Sequence, residues 1–216
     1  MLSRKPERGF EPLACRLQGG CSDRLSYSGV VQRAKATARR RRADGRAAAG
    51  GRAGCCPSPM LDRIASDLDT PMLVVTAAAG GRRAGCLVGF STQASIDPER
   101  YLVCLSRANL TYEVALGAET LGVHFLGSED LDLAELFGGE TGHHVDKLAR
   151  CDWRPGPGGV PVLTRPPAWF AGRVLERVGL GDHVGFLLEP GEGERRRDFK
   201  PLGYARCAHI EAGHEA

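Results

Sequence analysis

The 216-residue sequence lacks several patterns that define common protein classes. No apolar run approaches the roughly 20 residues that a transmembrane helix needs, and no apolar stretch follows the first basic residues as in a secretory signal. No G-x-G-x-x-G motif opens a strand–helix–strand unit, which argues against a dinucleotide-binding domain of the Rossmann type. The G-x-S-x-G turn of serine hydrolases is missing too. The sequence therefore predicts neither a membrane partner nor a hydrolase site.

The cysteines and histidines form no pattern typical of a metal site. None of the eight cysteines belongs to a C-x-x-C pair, and their spacings fit no zinc template. His143 and His144 are adjacent, so on a regular element their side chains would point apart. Cys86 and Cys104 lie in apolar strand patterns, where a free cysteine behaves as a small hydrophobic residue. We expect no metal site, and we expect a reduced protein in the cytoplasm.

Charge divides the chain into two parts. Residues 1–59 carry 13 Lys and Arg against 4 Asp and Glu, a net of +9. Residues 60–216 carry 16 against 22, a net of −6. The basic balance of the whole chain therefore belongs to residues 1–59, and it does not indicate that residues 60–216 bind nucleic acid.

Residues 1–59 are predicted to be a disordered leader rich in Arg, Gly and Ala. The run RRRRADGRAAAGGRAG cannot bury enough apolar surface to offset its ordering entropy. An organelle transit peptide, a nucleic-acid arm and a flexible tether are three functional interpretations. A fourth, which we favour, is a mis-assigned start, because the segment GFEP can be encoded by the TΨC-arm sequence of a transfer RNA gene. The true start would then be Met60, with one domain over 60–216.

Short apolar strands separated by glycine-rich turns dominate residues 60–216. After a short helix within 60–69, strands are predicted over 72–76, 86–90, 101–105, 121–126, 168–178, 183–188 and 201–210. Helices are predicted to start after Asn109 or Leu110 and to span 129–137, the second with Ser128 as N-cap. Residues 138–160 are predicted to be rich in loops, and GEGERRRD, over 191–198, a charged hairpin tip. Many strands and few helices indicate a barrel.

Two clusters of small polar residues end neighbouring strands. The first is FSTQAS, over 90–95, and the second is SRANLTY, over 106–112, which opens a helix. Hydroxyls, free backbone N–H groups and a helix N-terminus all favour an anion, so the pair suits a phosphate. Ser106, Arg107, Asn109 and Thr111 are the candidate phosphate ligands. The alternative is a helix cap with one solvated arginine.

Residues 70–210 resemble the flavin reductase-like family, whose members have an FMN-binding split β-barrel. The order of landmarks carries the resemblance: TPMLVVTAA, FSTQASIDP, SRANLTY, LGVHFL, DLAELFGG, DKL and a late Gly-Asp-His. It implies a mainly β, Greek-key split barrel with a few short helices. It also implies a homodimer with the flavin near the subunit interface.

The resemblance assigns roles to particular residues. Cys86 and the cluster Ser91, Thr92, Gln93 and Ala94 would border the flavin, although a hydroxyl-rich surface loop is the alternative. Lys147, in DKL, resembles the lysine of the family's D-K-F, with Leu148 in place of the aromatic residue; it could also be an exposed loop lysine. His183, in Gly181-Asp182-His183, would position the nicotinamide, or else be a turn histidine bonded to backbone.

The activity that this resemblance implies is an NAD(P)H-dependent flavin reductase. Hydride would pass from NADH or NADPH to FMN, with FAD as an alternative flavin, and a monooxygenase partner could take the reduced flavin. Two other classes remain open. One is an FMN-binding protein that uses another electron donor or a deazaflavin, and the other is a flavin-binding module without turnover.

Overall fold

The computed structural model describes residues 60–65 and 67–213, so the predicted leader over 1–59 lies outside the described residues. The helices are α1 (Met60–Ala65), α2 (Leu110–Leu116), α3 (Leu131–Gly139) and α4 (Tyr204–Cys207). The strands are β1 (Leu73–Ala79), β2 (Arg82–Val88), β3 (Ser91–Ser95), β4 (Arg100–Ser106), β5 (Thr120–Phe125), β6 (Trp153–Pro155), β7 (Pro161–Leu163), β8 (Ala168–Gly179) and β9 (His183–Arg195).

Seven strands form one antiparallel sheet in the order β2-β1-β5-β8-β9-β4-β3. The sheet curls around a core drawn from five of these strands and from α2, including Val75, Val103, Leu121 and Phe186, all fully buried. Its edge strands, β2 and β3, do not pair with each other. The predicted mainly β architecture is confirmed.

Alternating side chains let β2 face the barrel core on one side and carry a helix on the other. Ala84, Cys86 and Val88 belong to the barrel core, while Leu87 packs with α3 in a second apolar cluster. Gly85 lies directly under Phe137 of α3, where a Cβ would come within 2.6 Å of the ring. The absence of a side chain at Gly85 thus lets α3 pack closely on the sheet.

The β1–β2 turn confirms the role predicted for its glycines. Gly80 and Gly81 have φ angles of +56° and +76°, which residues with a Cβ rarely adopt. Two consecutive positive φ angles match the twist of a two-residue hairpin. β1 therefore runs on to Ala79, three residues beyond the predicted end of the strand.

Three predictions about the helices and the C-terminal part were wrong. The predicted strand over 201–210 is a pair of isolated bridges at Pro201 and Gly203 followed by α4. Burial of Leu202 and Cys207 in the α3 cluster outweighs their local pattern. The predicted hairpin tip begins inside β9, because residues up to Arg195 pair with β8. The N-cap of α3 is Asp130, not Ser128.

Candidate functional site

A cavity of about 80 Å³ opens where the barrel splits, between the end of β2 and the end of β4. We call it the first cavity. Its wall is mostly apolar and includes Val88, Leu105 and Phe137, while Ser106, Asn109 and His183 supply polar atoms. The chain crosses from β2 to β3 at its edge, where Phe90 O accepts a hydrogen bond of 2.9 Å from Cys104 N. An apolar pocket with a few polar groups is the usual form of a small-molecule site.

His183 lies at this cavity and is held from two sides. Its Nδ1 is 2.9 Å from Asp182 Oδ1, and its ring meets the Phe90 ring edge-on with centroids 5.2 Å apart. The pairing of β4 with β9 sets His183 directly opposite Ser106. Its side chain is 12% exposed. A carboxylate on Nδ1 fixes the orientation of the ring and favours Nε2 as the free nitrogen.

Arg107, predicted as a phosphate ligand, contacts the loop that carries His183. Its backbone N donates to Asp182 O at 2.9 Å, and its Nε donates to Gly181 O at 3.0 Å. Its guanidinium also reaches the Tyr112 hydroxyl at 3.3 Å. Gly181 has a φ of +94°, which a glycine tolerates. Arg107 is not one of the described residues that line the first cavity.

The other predicted phosphate ligands separate into two places. Ser106 and Asn109 line the first cavity, and Ser106 Oγ accepts from Ala108 N at 3.3 Å. Thr111 is buried, and its hydroxyl acts on the Cys86 thiol by lowering the pKa of that group. The sequence carried a signal for this, since Thr111 stands three and four residues before Val114 and Ala115 and so shares their buried helix face.

Three cysteines, Cys86, Cys104 and Cys207, line the first cavity as thiols rather than thiolates, and burial raises the pKa of Cys207 to about 11. Burial raises the pKa of Cys86, opposed by the nearby Lys147 charge and the Thr111 hydroxyl. Burial likewise raises the pKa of Cys104. Cys86 was predicted to border the flavin and does lie at the cavity, whereas Cys104 was predicted only as a strand residue.

The predicted flavin-bordering cluster over 91–94 lies on the edge strand β3. Ser91 Oγ is 3.2 Å from the Tyr101 hydroxyl, and Thr92 Oγ1 donates to Gln93 O at 3.2 Å. Thr92, Gln93 and Ala94 are exposed. No residue of this cluster is among the described residues lining the first cavity. Their role in flavin binding stays a prediction.

Lys147 is buried rather than exposed, and it lines a larger cavity of about 480 Å³ beside the first one. We call this the second cavity; it lies between β2, the start of α2 and the loop over 142–149. Lys147 Nζ donates to Phe137 O at 2.9 Å, and Phe137 lines the first cavity. Burial lowers the pKa of Lys147, while Cys86 and Glu140 act in the opposite direction.

Residues distant in sequence complete the first cavity and were not predicted. Ile210 and Ala212, from the C-terminal segment, line it together with Gly138. That segment is tied down by a hydrogen bond from Gly213 N to Gly138 O at 3.3 Å. Nothing in the local pattern of 208–213 indicates such a position, because it depends on the packing of α4 against α3.

The described part of the chain holds no cluster of three or more His, Cys, Asp or Glu side chains placed to bind a metal ion. Within 60–65 and 67–213, no helix combines the length and apolar character needed to cross a membrane.

Comparison with known proteins places this geometry in context. The profile of the flavin reductase like domain matches residues 65–210. An FMN reductase (NADH) of Methylorubrum extorquens is 36% identical over 57% of this chain and 58% of its own length. The reductase subunit of a stachydrine N-demethylase of Rhizobium meliloti is 28% identical over 65% of this chain and 60% of its own length. This chain thus spans only part of the curated relatives it matches.

A solved structure supports the same assignment. The NADH:FAD oxidoreductase of Streptomyces globisporus superposes with a TM-score of 0.58 at 25% identity, over 62% of this chain and 80% of that one. The predicted split barrel is thereby confirmed. Because the profile matches two thirds of this chain, the chain belongs to the flavin reductase-like family.

Proposed function

We propose that this protein is a flavin reductase that binds FMN or FAD at the first cavity and oxidises NADH or NADPH there. The observation that carries the proposal is the position of Cys86, Ser106, Asn109 and His183 around one cavity at the split of a barrel of this family. The similarity to an FMN reductase and to an NADH:FAD oxidoreductase supports the choice of cofactor and electron donor.

The lining of the first cavity fits part of a flavin. Its apolar wall suits an aromatic ring system, and the Ser106 hydroxyl, Asn109 amide and His183 imidazole suit carbonyl oxygens and ring nitrogens. A space of about 80 Å³ is too small to enclose three fused rings. Part of the ring system would therefore remain at the surface beside Phe90, which is 49% exposed. A second ring could stack there.

The flavin, when bound, supplies the chemistry by accepting a hydride from the nicotinamide. The residues of this chain have the task of holding two rings in contact and keeping water from the buried side. His183 is suited to orient a nicotinamide carboxamide, because Asp182 fixes its ring and its other nitrogen is available as a hydrogen-bond group. Hydride transfer needs no general acid at this position, so His183 is a positioning residue.

The finer parts of the proposal concern assembly, partner and location. We infer a homodimer, supported by three exposed apolar side chains along the second half of β8 and the turn after it: Leu175, Val178 and Leu180. An oxygenase that consumes the reduced flavin is the expected partner, since one relative is the reductase subunit of a demethylase. The cytoplasm, where reduced pyridine nucleotides are made, is the expected location.

Anaerobic mixing of the pure protein with FMN and NADH tests the proposal. Rapid loss of the flavin absorbance supports a reductase, and repetition with NADPH defines the donor. Flavin binding without bleaching by either nucleotide would contradict the proposal, and would favour a binding module or a protein with another electron donor. With a reduced deazaflavin in place of the nucleotide as hydride donor, bleaching of the FMN would identify a protein that uses this other electron donor.

A further inference from the structure

Part of the wall of the first cavity comes from the last described residues of the chain. Ile210 and Ala212 line the cavity together with Gly138 and Cys207. They belong to residues 208–213, which follow α4 and which we call the C-terminal strap. The proposed hydride transfer gives this strap no role, although the strap borders the place where the flavin would bind.

The residues that line the first cavity fall into a polar group and an apolar group. In the polar group, His183 lies opposite Ser106 in paired strands and its ring contacts that of Phe90. The apolar group belongs to the cluster around α3 and includes Met72, Phe137, Cys207 and Ile210. The strap therefore closes the apolar side of the cavity, which is the side suited to the edge of an aromatic ring.

The contacts described between the strap and α3 are weak ones. His209 Nε2 lies 3.0 Å from Glu135 Oε1, and both side chains are more than half exposed, so that water and salt screen the pair. Gly213 N donates to Gly138 O at 3.3 Å, which is long for a backbone hydrogen bond. By contrast, the wall formed by β4 is paired with β9 along residues 101–106.

Glycines let the strap approach the end of α3 closely. A Cβ on Gly138 would lie 3.3 Å from Ile210 Cγ2. A Cβ on Gly213 would overlap backbone atoms of Glu140 and Thr141. Backbone atoms cannot turn aside as a flexible side chain can, so a side chain at position 213 would push the strap away from α3. The closed position of the strap thus depends on Gly213.

The size of the first cavity gives a movable wall a function. While the strap is in place, the space of about 80 Å³ does not enclose three fused rings. The other walls are strands of one sheet and α3, and displacing them would break several backbone hydrogen bonds at once. Lifting the strap breaks the few contacts above and removes Ile210 and Ala212 from the lining. Segments with few buried contacts are the ones that open locally.

We propose that the C-terminal strap is a movable wall of the first cavity, which lifts from the end of α3 to admit a planar aromatic ring system and then closes over its edge. The identity of that ring system as a flavin rests on the proposed function. The movement itself does not, because it is a property of residues 208–213 and can be measured without a ligand.

Cys207 reports on the movement. It is 4% exposed, it packs in the same apolar cluster as Ile210, and its carbonyl accepts from Ile210 N at 2.9 Å. Alkylation of the full chain by N-ethylmaleimide, followed at each cysteine by peptide mass spectrometry, therefore measures opening of the strap. Cys151, which is half-buried and outside the lining described for the first cavity, is the internal reference.

The wild type tests whether the strap moves independently of the rest of the fold. We expect Cys207 to be alkylated through local opening, at a rate that changes little at urea concentrations well below the unfolding transition. A rate that rises with urea as steeply as global unfolding, followed by tryptophan fluorescence, would overturn the proposal, because the strap would then open only with the whole fold.

Gly213→Ala tests the contact that seats the strap. It should raise the alkylation rate at Cys207 at least about tenfold and leave the rate at Cys151 unchanged, because the overlap at position 213 favours the open strap. Gly139→Ala is the matched control, since a Cβ there would meet Ile210 Cγ2 at 3.7 Å, an ordinary contact. Equal rates at Cys207 in the two variants would overturn the proposal.

FMN release tests what the strap closes over. In stopped-flow fluorescence, Gly213→Ala should release FMN at least about tenfold faster than the wild type, because the open strap no longer retains the ring, while Gly139→Ala should release it at the wild-type rate. Equal release from the two variants would overturn the proposal. If FMN does not bind at all but Cys207 behaves as expected without it, the proposed function fails and the movable wall stands.

Discussion

Acidification should destabilise the fold through His124, which is fully buried between the barrel and β7. Its Nε2 accepts from Leu163 N at 3.1 Å, so the proton is on Nδ1, which donates to Val74 O at 3.0 Å. Protonation would set an N–H against the Leu163 N–H in a buried place. Burial is the main reason that the pKa of His124 falls from 6.5 to about 4, and Arg196 lowers it further.

The sign and size of the effect follow from proton linkage. Because the folded pKa is the lower one, the unfolded chain takes up the proton first as the pH falls, and stability is lost between about pH 6.5 and 4. From pH 7.5 to 5 this amounts to about 2 kcal/mol of unfolding free energy. The carboxylates with lowered pKa values, Asp132 and Glu194 among them, titrate mainly below this window.

Urea denaturation followed by tryptophan fluorescence measures this loss, with the buried Trp169 as reporter. His124→Gln is the control, since a glutamine does not titrate. It should be less stable at pH 7.5 yet lose about 2 kcal/mol less than the wild type on moving to pH 5. Equal losses in the two proteins would refute the assignment of a neutral, hydrogen-bonded His124.

Four further outcomes are expected. His183→Ala should raise the KM for the pyridine nucleotide or slow flavin reduction with little change in FMN affinity, and unchanged stopped-flow kinetics would show a structural role alone. Arg107→Ala should weaken FMN and riboflavin binding by similar factors, because Arg107 supports the Gly181 loop; a loss confined to FMN would instead identify a phosphate ligand. If the protein is the proposed homodimer, Leu180→Glu should shift it toward monomer in sedimentation equilibrium, and no shift would place the interface elsewhere. Residues 60–216 alone should give a soluble flavin-binding protein, and failure to fold would make the leader part of the structure.

Local patterns were sufficient where short-range physics decides the structure. Two adjacent glycines fix the β1–β2 turn, and the SRANLTY pattern starts α2 just after Asn109. His183 of the Gly-Asp-His segment lies directly after the β8–β9 turn and lines the first cavity. In each case the determining contacts lie within a few residues of the pattern.

Long-range packing decides the features that the sequence did not predict. Arg107 turns to the β8–β9 loop more than 70 residues away, because carbonyls there are within reach of its guanidinium. Lys147 is buried beside the last turn of α3, where the carbonyl of Phe137 accepts a hydrogen bond from its ammonium. The segment after α4 reaches the first cavity because α4 packs against α3 through Cys207. No local pattern in a single sequence indicates these long-range contacts.

Reduction by a reduced pyridine nucleotide of a flavin held at the first cavity is measured by anaerobic stopped-flow absorbance of the protein with FMN and NADH, with His183→Ala beside the wild type. We expect rapid, saturable loss of the oxidised-flavin absorbance in the wild type, and slower or less readily saturated loss in the variant. Bound flavin that stays oxidised with both NADH and NADPH would show that the first cavity is not the site of a flavin reductase.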